Sequence, residues 1–290
     1  MVIFKAINYP FFGRWKQAVL LNGSKHMIIQ KIHSISIIGA GNIADHLSRW
    51  FHSRGYLIET VWSRNFLHAQ QLSDRINATA VEQIGTLSKT SDLYLVCVSD
   101  DALIDVIRKL SESGLKNKLF AHTSGSTPIT VFDKSFKNFG CVYPLQTFTK
   151  GKPLDTEEIP FFISGNNDFA IQQLGNLAND LSQKCFVISD EQRLNIHLAA
   201  VFACNFTNHL YCISKSLLTE NQVSFDLLHP LIRETFQKAI ENDPCEVQTG
   251  PAKRNDRGII RKHLDLLAEK RILKDIYQLL SESILKQNEL

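Results

Sequence analysis

Apolar positions in this chain fall into two regimes. Between residues 31 and 164, short apolar runs alternate with stretches of helical period. Beyond residue 165 helical periodicity is almost continuous. In the first regime the runs at residues 36–38, 55–62, 78–81, 92–98, 118–126, 139–148 and 159–164 read as strands, and residues 45–51, 66–75 and 102–110 as helices. The run Leu93-Tyr94-Leu95-Val96-Cys97-Val98 has no polar alternation, which is what a strand covered on both faces of a parallel sheet requires. In the second regime residues 169–183 form an amphipathic helix and 185–188 a brief strand. Ser189-Asp190-Glu191-Gln192 then spells a capping box that opens a long helix. The pattern predicts an α/β fold: a doubly wound domain over residues 31–164, then an all-α domain over 165–290. Residues 1–30 precede both. They show no clear period and read as an extension that is poorly ordered or loosely packed, with Met27 just ahead of the first strand.

The first strand runs into Gly39-Ala40-Gly41-Asn42-Ile43-Ala44, a Gly-x-Gly-x-x-Ala turn. Gly39 suits the tight turn, Gly41 lets a ligand approach the backbone, and Ala44 lets the following helix pack closely on the strand. The free N–H groups of residues 41–43 and the helix dipole then attract a diphosphate. Turn, strand and helix together predict a Rossmann dinucleotide site. An acid that binds the ribose diol usually ends the second strand of such a site. Glu59 has about the right spacing but lies inside the strand, before Val61 and Trp62. The strand end carries Ser63 and Arg64 instead. A guanidinium is a planar fork of donors that suits a 2′-phosphate, which favours NADP(H) over NAD(H). Ser99, at the end of another strand, is placed beside the same ligand. The adjacent Asp100 and Asp101 read as helix-capping acids.

Composition narrows the function. At 290 residues, 44% hydrophobic and 21% charged, the chain can bury a substantial core. Four of its 32 basic residues, Lys5, Arg14, Lys16 and Lys25, lie within residues 1–26, which hold no acid. The remaining 28 face all 29 acids, for a net of −1. No basic surface for nucleic acid is implied, and no apolar run is long enough to span a membrane. The six cysteines form no C-x-x-C pair, and their apolar settings point to buried thiols in a reducing cytoplasm. No metal-ligand spacing is present.

Two further clusters carry candidate chemistry. At ~100° per residue, His197, Asn205 and Asn208 fall at about 0°, 80° and 20° on one helix, a polar stripe in apolar surroundings. Either a ligand or neighbouring helices and loops can satisfy such a stripe. In Gln248-Thr249-Gly250-Pro251-Ala252-Lys253-Arg254-Asn255-Asp256, Asp256 can open a helix. Lys253 and Arg254 are either solvated charges on that turn or holders of a substrate carboxylate or phosphate.

Taken in order, Gly39-x-Gly41-x-x-Ala44, Ser63-Arg64, His122-Thr123-Ser124-Gly125-Ser126, Tyr143-Pro144-Leu145-Gln146-Thr147-Phe148, His197 to Asn205 and Thr249-Gly250-Pro251 to Asp256 resemble one group. The chain is similar, over residues 31–290, to Rossmann-like NADP oxidoreductases related to pyrroline-5-carboxylate reductase. More distantly it resembles the 6-phosphogluconate and β-hydroxyacid dehydrogenases. The resemblance implies an NADP domain, a C-terminal helical domain and a homodimer formed through those helices. The chain departs from the group twice: no Lys stands on this face of the long helix, where His197 is the nearest candidate, and Tyr143 stands where a His is common.

The expected activity is hydride transfer between NADPH and a small carbonyl or imine substrate. His197 would move the proton, histidine being the residue type that titrates near neutrality. Asn205 and Asn208 would orient the substrate, and Ser124, Ser126, Lys253 and Arg254 would bind its polar end. Oxidation of a 3-hydroxy acid with NADP+ and a non-catalytic dinucleotide sensor or scaffold are the two other readings.

Overall fold

The computed structural model describes residues 31–115 and 117–287, so the expected extension over residues 1–30 lies outside the described residues. Eight strands form one sheet in the order β3-β2-β1-β4-β5-β6-β7-β8. They are β1 (Ser34–Ile38), β2 (Leu57–Trp62), β3 (Thr79–Val81), β4 (Leu93–Val96), β5 (Leu119–His122), β6 (Asn138–Pro144), β7 (Phe161–Gly165) and β8 (Cys185–Val187). Pairing is parallel except between β6 and β7. The first six strands thus follow the 3-2-1-4-5-6 order of a doubly wound dinucleotide fold, whose switch point lies between β1 and β4.

Helices α1 (Asn42–Ser53), α2 (Phe66–Ile76), α3 (Asp100–Glu112) and α4 (Asp168–Asn179) pack on this sheet. Residue alternation explains why its strands read as unbroken apolar runs. Leu93 and Leu95 face a core shared with Leu47 and Phe51 of α1, Leu72 of α2 and Leu174 of α4. Tyr94 and Val96 face a second core, with Leu103, Ile107 and Leu110 of α3 and with Phe132 and Phe136. Both faces are dry, so both parities must be apolar.

The α/β layer extends beyond residue 164, where the sequence pattern places its end. Leu174, Leu177 and Leu181 join the first core, and β8 pairs in parallel with β7. A short apolar run followed by helix gives no sign that it rejoins an existing sheet. The capping box at Ser189 is present and opens α5 (Asp190–Ala200). α5 continues into a π-helix at Val201–Phe206, and α6 (Thr207–Glu220) follows.

The chain divides into two compact units after Cys204. The second contains α6, α7 (His229–Glu241), α8 (Arg257–Leu266) and α9 (Arg271–Gln287). Its described residues bury little: Ala252, Leu267 and Ser281. Leu227, Leu231, Phe236, Leu266, Ile272 and Leu279 are exposed. No helix among the described residues is long and apolar enough to cross a membrane. Cys97, Cys141 and Cys185 are buried, whereas Cys204, Cys212 and Cys245 are exposed; all six are free.

Candidate active site

At the end of β1, Gly39 has φ +121°, and its N–H donates to Trp62 O at 2.6 Å. A Cβ on Gly39 would lie 2.2 Å from Cys97 O, so the close approach of β4 and the backbone conformation both demand glycine. Gly41 is the N-cap of α1 and offers no side-chain cap. A Cβ built there meets nothing within 4 Å, so the space in front of the helix is open. The first-turn N–H groups face that space without intrahelical partners, the arrangement that receives an anion. Ala44 is fully buried in the sheet core beneath the turn. The loop after β6 crosses the same helix: Asn42 Nδ2 donates to Phe148 O at 3.0 Å, and His46 Nε2 to Thr149 O at 2.9 Å.

Parallel pairing places Ile38 opposite Trp62, so Ser63 and Arg64 follow β2 at the level of the glycine turn. Arg64 is exposed and has no ion-pair partner among the described residues. Glu59 is engaged elsewhere. The register between β1 and β2 shifts at Ile35/Ser36, which leaves Glu59 as the extra residue of a bulge. Its carboxylate accepts from Thr90 Oγ1 at 2.8 Å, from Ser91 Oγ at 2.9 Å and from Ser88 Oγ. Burial pushes this carboxyl up, but hydrogen bonds from Ser88, Thr90, Ser91 and Ser34 outweigh it and hold it below the usual carboxylate range. The acid is structural, and the strand end is left to the guanidinium.

Ser99 is the N-cap of α3, with no side-chain cap bond. Asp100 and Asp101 stand in the first turn rather than at the cap position, and Asp100 accepts from Ser126 Oγ. Ser124 Oγ accepts from the N–H groups of Ser126 (3.2 Å) and Thr127 (2.9 Å), so this hydroxyl folds the turn after β5. His122 is fully buried below that turn. Its Nδ1 accepts from Ser124 N–H at 3.2 Å, and its Nε2 is unpaired among the described residues. Burial first, and Arg193 second, lower its pKa to about 3, so it is neutral at physiological pH.

The two departures from the family pattern turn out to be partners. The Tyr143 hydroxyl lies 3.0 Å from His197 Nδ1, with the rings edge to face at 75°. Tyr143 is buried and His197 half-buried. Burial pushes the Tyr143 hydroxyl up to about 12, so it keeps its proton at neutral pH. Gly125 completes the group: a Cβ there would lie 2.6 Å from His197 Nδ1 and 2.9 Å from Tyr143 Cζ. Segments 124–127, 143 and 197 therefore meet at the C-terminal edge of β5 and β6, the edge where open α/β sheets bind ligands.

Sequence reasoning missed what holds this group together. Arg193, one turn before His197, is 1% exposed. Its Nη1 donates to Asp190 Oδ1 and to Ser164 Oγ, both at 2.7 Å, and its Nη2 donates to Thr127 O. Asp190 Oδ2 accepts from Ile129 N–H at 2.9 Å. α5 is thereby fastened to the loop after β5. An arginine inside an amphipathic helix start gives no signal that it is buried.

Asn205 and Asn208 lie beyond the division at Cys204, and both are exposed. The π-helix interrupts the constant 100° spacing that put them on one face with His197, because each π turn takes more residues than an α turn. Lys253 and Arg254 are exposed on the turn that Gly250 (φ +109°) begins. Asp256 caps α8 there, accepting from Ile259 N–H at 3.1 Å. Among the described residues no group of three or more metal-ligating side chains is present.

Residues 34–123 match the family described as NADP oxidoreductase coenzyme F420-dependent. Residues 159–284 match a domain of unknown function, DUF2520. Among solved structures, the "putative NADP oxidoreductase BF3122" of Bacteroides fragilis is 36% identical, with 89% of this chain and 99% of that chain covered and a TM-score of 0.83. The chain belongs to the NADP oxidoreductase family. Two more remote members of the fold are protein TM1727 of Thermotoga maritima and an imine reductase of Myxococcus stipitatus in complex with NADP+. The first is 22% identical, with 88% of this chain and 98% of that chain covered and a TM-score of 0.66. The second is 15% identical, with 88% and 94% covered and a TM-score of 0.61. At those identities the likeness is one of fold. No curated protein matches the chain. Within this oxidoreductase family, residues 34–123 hold the glycine turn and Arg64, whereas Tyr143 and His197 lie beyond them.

Proposed function

We propose that this oxidoreductase reduces a small carbonyl or imine compound with NADPH, and that His197 handles the proton. The carrying observation is the half-buried His197, paired with Tyr143 on the same C-terminal sheet edge as the open glycine turn and an exposed Arg64 that has no ion-pair partner among the described residues. The residues present fit the cofactor. Backbone N–H groups at 41–43 would hold the diphosphate, with Gly39 and Ala40 shaping the turn. Asn42, steadied by Phe148 O, and Ile43 would flank it. Ser63 and Arg64 would take the 2′-phosphate, and Ser99 would lie beside the nicotinamide end. When bound, NADPH supplies hydride to the carbon of a C=O or C=N group.

The protein's own task is then the heteroatom. As carbon gains hydride, oxygen or nitrogen gains basicity and needs a proton, which an imidazole N–H delivers at hydrogen-bond distance. Tyr143, buried at the sheet edge, covers the Nδ1 side of the imidazole. Ser126, tied to Asp100, offers a polar contact to the substrate. The exposed apolar helices of the second unit support a homodimer formed through them, since a set of helices with so few buried side chains of its own gains stability by covering the rest.

His197→Gln tests the reading. Turnover in NADPH-dependent reduction of a carbonyl and imine panel is expected to fall at least about 100-fold, the usual worth of a proton donor. NADPH affinity by calorimetry is expected to stay within about twofold, since a side chain that acts only in the transition state adds no ground-state binding. Unchanged turnover on every reducible substrate would remove His197 from the mechanism.

A further inference from the structure

We propose that Tyr143 is a positioning residue that donates to His197 Nδ1, so that Nε2 is the nitrogen bearing the proton, and that Gly125 is glycine because this pair needs its room. The proposal rests on His197 being the proton-handling group, and it assigns which of its two nitrogens does the work.

A neutral imidazole has one N–H and one lone pair, and 3.0 Å between Tyr143 Oη and His197 Nδ1 fits a bond in either direction. Burial decides between them. Tyr143 lies on β6, 8% exposed, with its ring stacked on Phe162 at 6.3 Å and 28°. A buried phenol proton without an acceptor loses the full value of its hydration. Among the described residues, the acceptor within hydrogen-bond distance of this hydroxyl is His197 Nδ1. If Nδ1 carried the hydrogen instead, Tyr143 would accept it, and the phenol proton would be left without a partner inside the sheet edge. The phenol therefore donates, Nδ1 keeps its lone pair, and the imidazole hydrogen resides on Nε2.

The packing of the ring agrees. Its Nδ1–Cγ edge lies against Gly125, where a Cβ would stand 2.6 Å from Nδ1 and 2.8 Å from Cγ. Nε2 is on the opposite edge of a half-buried side chain. A methyl at position 125 would force apart the two atoms that share the hydrogen bond. Gly125 has no positive φ to explain it, so the room for the pair is the reason for glycine there.

The proton path balances. As the substrate heteroatom takes the proton from Nε2, Nε2 takes another from water at the open edge of the half-buried ring, and hydroxide leaves to solvent. Tyr143 keeps its own proton throughout and holds Nδ1 as an acceptor. No electrons move in this relay; the redox change is confined to cofactor and substrate.

The experiment is long-range proton–nitrogen NMR on the full chain labelled with 15N-histidine, without cofactor. Of the ten histidines, the His197 signals are identified by their loss in His197→Gln. Wild-type His197 is expected in the Nε2–H tautomer. Tyr143→Phe, which keeps the ring on Phe162, is expected to move His197 toward a mixture of tautomers. It should also lower turnover about tenfold, the worth of one hydrogen bond, with NADPH affinity unchanged. Gly125→Ala is expected to move the same signals. A wild-type Nδ1–H tautomer, or His197 signals unmoved in both variants, would overturn the proposal. That result is independent of turnover: if His197→Gln reduces substrates at the wild-type rate while the tautomer shifts as expected, the proton-donor role fails and the pairing stands.

Discussion

At the end of β1 the sheet's C-terminal edge is made of backbone. Gly39 bends, Gly41 leaves open space, and the helix presents N–H groups with no side chain capping them. At the ends of β5 and β6 it is made of side chains that satisfy one another: Tyr143 with His197, Arg193 with Asp190, Ser164 and Thr127, and Asp100 with Ser126. A diphosphate has one shape and many enzymes bind it, so a short turn suffices. A proton must be delivered at one point, and the group that delivers it needs a rigid mount. The first end is predicted to lose binding when altered, and the second to lose structure.

The sharpest contrast is Arg193→Ala. It would leave Asp190 without its ion-pair partner beside buried Ser164 and strip a donor from Thr127 O. Arg193 is buried but Asp190 is 28% exposed and can rehydrate, so the loss of this guanidinium and its bonds costs about 2–3 kcal/mol. Chemical denaturation of the variant should show a loss in that range. A loss under about 1 kcal/mol, the size expected for an exposed pair, would erase the distinction between the two ends.

These ends also differ in how far the sequence reveals them. Gly39, Gly41 and Ala44 lie within six residues, and each answers a local demand of one turn, so the first end and the parallel sheet around it are readable by eye. The second end draws on positions 124–127, 143, 164, 190, 193 and 197. Nothing in the periodicity of α5 distinguishes buried Arg193 from a solvated arginine, and Tyr143 alone is only an unusual residue. β8 is legible as the short strand at 185–188, but its place in the sheet is not: strand pairing is a long-range decision, and a three-residue run cannot announce its neighbour. The asparagine stripe is laid out with a fixed period of ~100°, and that period cannot anticipate a π-helix over Val201–Phe206.

His122 gives the second prediction. Its folded pKa, about 3, lies below the unfolded value of ~6.5. The unfolded chain therefore binds the extra proton as pH falls, and the folded chain does not. This contribution is complete above about pH 6.5 and is lost toward pH 3, at no more than about 1.4 kcal/mol per pH unit. Between pH 7 and pH 5 the wild type should lose about 2 kcal/mol more than His122→Asn, measured by denaturation at both values. Parallel pH dependence in the two proteins would mean that the imidazole is hydrated where it sits.

At the backbone end, Arg64→Ala should leave stability within about 0.5 kcal/mol, as for any exposed side chain with no ion pair, which is its state among the described residues. It should weaken NADPH by about 10- to 100-fold and leave NADH nearly unchanged, since a charge-assisted hydrogen bond to phosphate is worth about 1.5–3 kcal/mol. Calorimetry with both nucleotides separates the two cases. Equal weakening of both would place Arg64 on the shared part of the cofactor, not on its 2′-phosphate.

Glu59 supplies the smallest expected effect and the finest test of the contrast, because it sits near the spacing of a ribose-binding acid yet is bonded to Ser88, Thr90 and Ser91. Its folded pKa is depressed, so the carboxylate's contribution is present above the unfolded value of ~4.3 and is lost as pH falls through the folded value. Glu59→Gln keeps the shape and removes the charge. The three hydroxyls can turn to meet the amide, and the site is partly open to solvent, so the loss at pH 7 should be about 1 kcal/mol or less. The variant should lose less stability than the wild type below about pH 4.3. Neither nucleotide should bind more weakly. A tenfold loss of NADH affinity would mean that the bulge does not bury the acid's role in structure, and that this strand carries a ribose acid and a phosphate-binding guanidinium side by side.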